Sequence, residues 1–307
     1  INMQHEPHST MHLLFLGTSC MVPTKERNHS GILLSCGSED ILIDCGEGTQ
    51  RQIKIAGTAP SRIKKILITH WHGDHVLGLP GLIQTLAASE YEGSLHIFGP
   101  KGTKERIEKM FDVFVFDKKI NLEVTDVTKD GVFFENCEYA LIAQRLEHGI
   151  DTLGYAFMKK DRRRINIKYV RNIGMKDGPQ LGALQRGQTV TWKGKKVTPE
   201  NATVIVRGRK ISFISDTVLC RGCFELAKDS DLLVCESAYT SALEEKARKY
   251  RHLTARQASE IANIANVHKL VLTHFSQRYK TTDELIEDAE TTFSNVVCAR
   301  DFMKIKV

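Results

Sequence analysis

No stretch of this 307-residue chain approaches the ~18 continuous apolar residues that would suggest a membrane span. No secretory apolar segment opens it, so a cytoplasmic location is expected. Self-similarity at 20–50 residues is missing too, which excludes a solenoid. Cysteine is scattered: of the eight (Cys20, Cys36, Cys45, Cys137, Cys220, Cys223, Cys235 and Cys298), several lie inside apolar runs and read as small core residues, a usage that fits a reducing compartment. Cys220 and Cys223 form one CysXXCys, which could be half of a zinc site or a redox pair. With no second pair at finger spacing, it is read as coincidental with a helix start. Residues 1–10 precede a natural-looking start at Met11 and resemble a tag remnant, so His5 and His8 are set aside. The 307-residue chain, 41% hydrophobic, can bury a core in one large domain or two small ones, and 11–307 is taken as that folded part.

The apolar pattern alternates between two periods. Short runs at 12–16, 31–36, 40–45, 95–98, 120–127, 139–147, 152–158, 203–207, 211–215, 231–235, 269–273 and 302–306 read as strands. Helical spacing follows at 47–56, 76–89, 222–228, 241–250, 254–265 and 282–292. The reading is an α/β protein in which two α/β halves face each other.

The chemistry concentrates at residues 69–75, ThrHisTrpHisGlyAspHis, which closes the apolar run 63–69. In extended chain, alternate residues point the same way, so His70 and His72 can grip one ion from one side. Asp74 and His75 follow where the chain curls toward a helix and can face a second ion. Imidazole and carboxylate donors together suit zinc better than magnesium or calcium, and the lack of cysteine in the turn argues against a closed structural site. A chance cluster on a surface turn, or a helix cap built on Asp74, is the plain alternative that four such residues in six positions outweigh.

The turn resembles the HxHxDH signature of the metallo-β-lactamase superfamily. The resemblance implies an αβ/βα sandwich with further ligands at later strand ends. The matching positions are His148, Asp216 and His274, each closing an apolar run. It implies two zinc ions per subunit: His70, His72 and His148 for one, Asp74, His75 and His274 for the other, and Asp216 bridging. Asp44, ending IleLeuIleAspCys, matches the superfamily's first motif and is expected to orient a ligating imidazole from behind.

Charge is uneven. Residues 159–196 hold twelve Lys or Arg against two acids, a balance of +10 in a chain whose total is +6, so the remainder is net −4. A cluster such as LysLysAspArgArgArg at 159–164, with GlyProGln at 178–180, suits a flexible inserted arm that grips phosphates; an evenly spread charge would read only as a solvated face. The candidate RNA contacts are Lys159, Lys160, Arg162, Arg163, Arg164, Gly178 and Pro179.

LeuGlyThrSer at 16–19, ProThrLysGluArgAsn at 23–28, AspCysGlyGluGlyThrGlnArgGln at 44–52 and the GlyPro-containing arm together resemble tRNase Z, from about Met11 to the C-terminus. The resemblance implies a zinc endoribonuclease that removes 3′ trailers from precursor tRNA, leaving a tRNA 3′-OH and a trailer 5′-phosphate. It also implies that the arm is a protruding exosite for the tRNA elbow and that the subunits form a homodimer. Lys25 and Arg27 add positive charge on the Pro-started loop near the RNA 3′ end. ArgHisLeuThrAla at 251–255 places His252 as donor of a proton to the leaving oxygen, and CysGluSerAla at 235–238 keeps only Glu236 of the family's partner motif, followed by Tyr239. Asp74 is expected to assist deprotonation of water. His252 has a plainer alternative as a loop residue before a helix capped by Thr254.

A small-molecule hydrolase of the same superfamily is the runner-up; it would use the same ligands without needing the basic arm or the ProXLysXArgAsn loop. An RNA-processing relative with a large extra domain after Asp216 has no room here, and a non-catalytic relative would lack ligands.

Overall fold

The computed structural model describes residues 11–115 and 119–307; the tag-like reading of residues 1–10 lies outside them. The chain begins with β1 (His12–Gly17), β2 (Gly31–Cys36), β3 (Glu39–Ile43), α1 (Thr49–Ile55), β4 (Ile63–Leu67), α2 (Gly73–Val76), α3 (Leu79–Ala88), β5 (Ser94–Gly99), α4 (Thr103–Val113) and β6 (Asn121–Asp126). Then come β7 (Gly131–Glu135), β8 (Tyr139–Glu147) and β9 (Asp151–Lys159). Next are β10 (Arg162–Ile165), α5 (Ile167–Asn172), α6 (Pro179–Gln185), β11 (Val190–Trp192), β12 (Lys195–Val197), α7 (Pro199–Ala202) and β13 (Thr203–Val206). The last stretch holds β14 (Lys210–Ile214), α8 (Arg221–Ala227), β15 (Leu232–Glu236), α9 (Glu244–Tyr250), α10 (Ala255–Ile264), β16 (Leu270–Thr273), α11 (Asp283–Glu290), β17 (Val296–Cys298) and β18 (Lys304–Lys306).

Two seven-stranded sheets result, ordered β18-β1-β2-β3-β4-β5-β6 and β17-β16-β15-β14-β9-β8-β7. β1 to β3 run antiparallel, then β3 to β6 parallel; β14 to β17 are parallel. Parallel neighbours need crossover helices, and those helices cover the sheets. Ile53 of α1 and Leu82, Ile83 and Leu86 of α3 pack with Leu42, Ile66 and Ile97 of the first sheet. Leu226 of α8, Ala258 and Ile261 of α10 and Leu285 of α11 do the same for Leu233 and Leu272 of the second. The Tyr155 hydroxyl donates to the Ile68 carbonyl (2.8 Å), tying β9 to the end of β4.

Among the described residues, the compact body comprises 11–115, 119–134, 141–157 and 210–307, and a second unit comprises 135–140 and 158–209. The basic segment read as an arm at 159–196 therefore belongs to a somewhat longer insertion with secondary structure of its own. β10 pairs antiparallel with β13, and β11 with β12. Ile165, Val170, Met175, Leu184, Val197 and Ala202 form a small core, and the Asn166 side chain caps α5 by accepting from the Tyr169 N–H. At its base the Lys159 N–H donates to the Arg209 carbonyl (2.9 Å).

Several elements escaped the sequence reading. α4 has Ile107 buried, Thr103 at its start buried and mostly charged residues elsewhere, so its apolar stripe is narrow. β7 and β17 are also new, and the expected helix 76–89 divides into α2 and α3 around Gly78. A Cβ at Gly78 would stand 2.1 Å from the Gly46 carbonyl oxygen, so the chain passes there only without a side chain.

Candidate metal centre

β4 ends at Leu67, and the chain stays extended through Thr69 to His72 before α2 turns in. This brings His70 Nε2 to 3.1 Å from His72 Nδ1. From the end of β8, His148 Nε2 comes to 3.2 Å from the same His72 nitrogen. Asp216, just beyond β14, places Oδ2 3.7 Å from His70 Nε2 and 3.5 Å from His148 Nε2. Its other oxygen, Oδ1, lies 3.4 Å from His75 Nε2 and 3.2 Å from His274 Nε2. Asp74 Oδ2 completes this second group, 3.4 Å from His75 and 3.5 Å from His274. The seven residues singled out in the sequence thus form two donor sets sharing Asp216, each with its donor atoms within 4.8 Å of one another.

The donor sets fit a cation on two counts. Four tetrahedral donors at the usual ~2.0–2.2 Å from zinc stand ~3.3–3.6 Å apart, close to the separations found here. Asp74 Oδ1, His75 Nε2 and both ring nitrogens of His274 are buried without a hydrogen-bond partner, an expensive arrangement unless something else binds them.

The electrostatics agree. Asp44, Asp74, Asp216 and Glu236 are all buried, and their ion-pair partners are histidines. Burial opposes charge on His75 and His274, yet the carboxylates, Asp216 foremost, hold both well above the ordinary imidazole range. Protons there stand in for cations. Burial, helped by His75, keeps His70 well below its usual value, hence neutral and ready to donate a lone pair.

Positioning groups lie behind the donors. Asp44 Oδ2 accepts from His75 Nδ1 (2.7 Å) and from the Thr69 hydroxyl (2.8 Å), while Oδ1 accepts from the Thr69 N–H (2.8 Å). His148 Nδ1 donates to the Arg251 carbonyl (2.8 Å), which fixes the tautomer with Nε2 free. Asp44 and His274 both sit at positive φ, 57° and 62°, a backbone strain of ~1–2 kcal/mol that persists where the surroundings over-determine it. Gly46, two residues after Asp44, lets the chain pass the His70–His75 turn: a Cβ there would stand 2.4 Å from the Asp74 carbonyl oxygen.

His252 lies between α9 and α10. Its Nδ1 is 3.1 and 3.2 Å from the two oxygens of the fully buried Glu236, and 3.9 Å from Asp216 Oδ2. Burial lowers its proton affinity, but Glu236 and Asp216 outweigh this and push it up to about 12. Thr254 does cap α10, with a full capping box to Gln257, so His252 is held from both sides of its loop. A pocket of about 590 Å³ opens over His72, Asp74, His148, Asp216 and His252, rimmed by Tyr239, Lys246, Tyr250 and Arg278.

Cys20, buried like most of the cysteines, lines this pocket beside His252 and His274. Burial raises its proton affinity, but the two histidines outweigh that and bring it to about 7. Only its place between two motifs hinted at this.

The charged loop at 23–28 divides. Lys25 is exposed. Arg27 is not: it is buried, donates from Nη2 to the Tyr279 carbonyl (2.6 Å) and stacks over Phe275 at 5.4 Å. The expectation that Arg27 offers charge to RNA is corrected, since its guanidinium braces the loop against the segment after β16. In the insertion, Arg162, Arg164, Gly178 and Pro179 are exposed, while Lys159, Lys160 and Arg163 are half-buried. Lys160 pairs with Glu135 (2.6 Å) and Arg163 with Glu200 (3.4 Å), and Pro179 opens α6.

The paired sheets with clustered His and Asp at their strand ends define a hydrolase of the metallo-β-lactamase fold. The family model of the anti-Pycsar protein Apyc1 matches residues 11–127. Ribonuclease Z of Methanothermobacter thermautotrophicus is 38% identical over 298 residues, covering 97% of each chain. That of Archaeoglobus fulgidus is 37% identical over 300 residues, covering 96% of this chain and 97% of its own. The crystal structure of human tRNase Z, short form, matches with a TM-score of 0.70 at 27% identity, over 96% of this chain and 98% of that one. The chain belongs to the ribonuclease Z family.

Proposed function

We propose that this protein is a zinc-dependent endoribonuclease that removes the 3′ trailer from precursor tRNA, leaving a 3′-OH on the tRNA and a 5′-phosphate on the trailer. The observation that carries the reading is the pair of donor sets sharing Asp216, in a chain of this family. Two zinc ions per chain are the proposed occupancy, held by His70, His72, His148 and Asp216 and by Asp74, His75, His274 and Asp216.

Bound there, zinc supplies Lewis acidity toward phosphate oxygens and lowers the pKa of water toward ~7. Asp74, whose Oδ1 has no hydrogen-bond partner, is placed to take the proton from the attacking water. His252 has Nδ1 committed to Glu236, which leaves Nε2 to give a proton to the departing 3′ oxygen. Glu236 orients that ring and stabilises its charged form; Thr217 N–H, 2.8 Å from Glu236 Oε1, orients the carboxylate in turn. Asp44 fixes the His75 ring.

The exposed basic side chains of the insertion are proposed to hold tRNA phosphates, with Lys25 serving the 3′ end, and the active form is proposed to be a cytoplasmic homodimer. No helix among the described residues is long and apolar enough to cross a membrane. The test of the catalytic assignment is His252→Ala, with metal content and precursor affinity measured beside the cleavage rate. Slow cleavage with both others intact supports it; loss of metal makes His252 a ligand instead.

A further inference from the structure

The proposed chemistry makes no use of Cys220 and Cys223. All eight cysteines are free thiols. Cys220 stands at the N-cap of α8 and is half-buried; Cys223, one turn on, is buried. Their sulfurs are 3.6 Å apart. Residues three apart on the first turn of a helix have Cα atoms ~5–5.5 Å apart, within the range a disulfide accepts. One sulfur is thus reachable from solvent and the other is sheltered beside it, the arrangement of an attacking and a resolving thiol.

The surroundings favour charge on the outer sulfur. The Cys223 thiol, foremost, and the Thr217 hydroxyl (3.8 Å) hydrogen-bond to Cys220 and bring it down to about 6 against its burial, while the same contact and burial push Cys223 up. The pair is also wired to the metal centre. Thr217 follows Asp216; its N–H donates to Glu236, the partner of His252. Its hydroxyl accepts from the Glu147 N–H (3.1 Å), and the Val218 N–H donates to the Glu147 carbonyl (2.9 Å), immediately before His148.

We propose that Cys220 and Cys223 form a thiol–disulfide exchange site for small-molecule disulfides of the glutathione type, and that closing it slows hydrolysis by pulling on the loop that carries Asp216. Cys220 thiolate attacks one sulfur of the disulfide, forming a mixed disulfide and releasing one thiolate. Cys223 then gives up its proton and attacks the Cys220 sulfur, releasing the second. Two protein thiols are oxidised by two electrons, and one external disulfide is reduced to two thiols. A larger thiolate fraction favours attack by Cys220 and is offset in part by its lower intrinsic nucleophilicity. A displacement of ~1 Å at the reacting groups can cost up to ~10²-fold, so closure is expected to lower the rate about tenfold or more.

The test incubates the whole zinc-loaded protein with oxidised glutathione, then maps thiols by alkylation and mass spectrometry and follows precursor tRNA cleavage. The expected result is loss of two hydrogens on the peptide holding both cysteines, with cleavage slowed and restored by dithiothreitol. Cys220→Ser, which puts a good N-cap residue at the same place, should keep both its rate and the single thiol of Cys223 through the same treatment. Cys223→Ala should stop at a mixed disulfide on Cys220. The proposal is overturned if no internal disulfide forms, if it forms without slowing cleavage, or if Cys220→Ser is inhibited equally, which would assign the effect to another thiol such as Cys20. The rate readout rests on the endonuclease reading, but the mass readout does not. Fully reduced protein that fails to cleave precursor tRNA would overturn that reading while leaving the exchange chemistry to be judged by mass.

Discussion

The metal centre and the basic insertion handle charge in opposite ways. At the centre, four carboxylates are buried among histidines, where each charge is costly unless matched. In the insertion, cations such as Arg164, Lys168, Arg171 and Lys176 stand in water, where charge is cheap and screened by salt. Buried charge is suited to chemistry at a fixed point; exposed charge is suited to holding a polyanion loosely and over a distance. The two should therefore fail differently when disturbed.

Metal removal should have the largest effect. Chelation is expected to abolish phosphodiester hydrolysis, and elemental analysis of active protein should find close to two zinc ions per chain. Fully active protein without a transition metal would remove the basis of the site. Next comes His252→Ala, expected to lower the cleavage rate by ~10²-fold or more, the scale of general acid catalysis, without changing zinc content.

The insertion should fail in binding alone. Replacing residues 161–208 by a short GlySer linker is feasible because Lys159 and Arg209 already meet by a backbone hydrogen bond. The variant should hydrolyse a small chromogenic phosphodiester normally yet bind precursor tRNA ~10–100-fold more weakly, with a shallower dependence on salt. Unchanged affinity and salt slope would move recognition to Lys25 and the pocket rim. The smallest effect should follow Asp44→Asn, which weakens the carboxylate behind His75: about tenfold in zinc affinity, measured by chelator competition, is expected.

The sequence disclosed the centre far better than the insertion. His70, His72, Asp74 and His75 are neighbours in sequence, so period and residue type alone placed them together. His148, Asp216 and His274 were reached through the resemblance to the HxHxDH signature rather than from the pattern alone, and each does follow the end of a strand, where an apolar run stops. Cys20 was illegible because its meeting with His252 and His274 depends on packing between segments more than two hundred residues apart. Arg27 misled for the same reason: its partners at Tyr279 and Lys280 are invisible locally, and an arginine in a charged loop reads as solvated. In the insertion the density of basic residues masked Ile165, Val170 and Leu184, whose spacing builds a small core. α4 was missed because its buried stripe is too thin to give a helical period.

The most direct test is to incubate the zinc-loaded protein with precursor tRNA labelled at either end and to map both new termini. The account predicts a single cut after the mature 3′ region, giving a tRNA with 3′-OH and a trailer with 5′-phosphate, lost on chelation and slowed ~10²-fold in His252→Ala. Cleavage that leaves a 2′,3′-cyclic phosphate, or hydrolysis of small esters with no action on precursor tRNA, would contradict it.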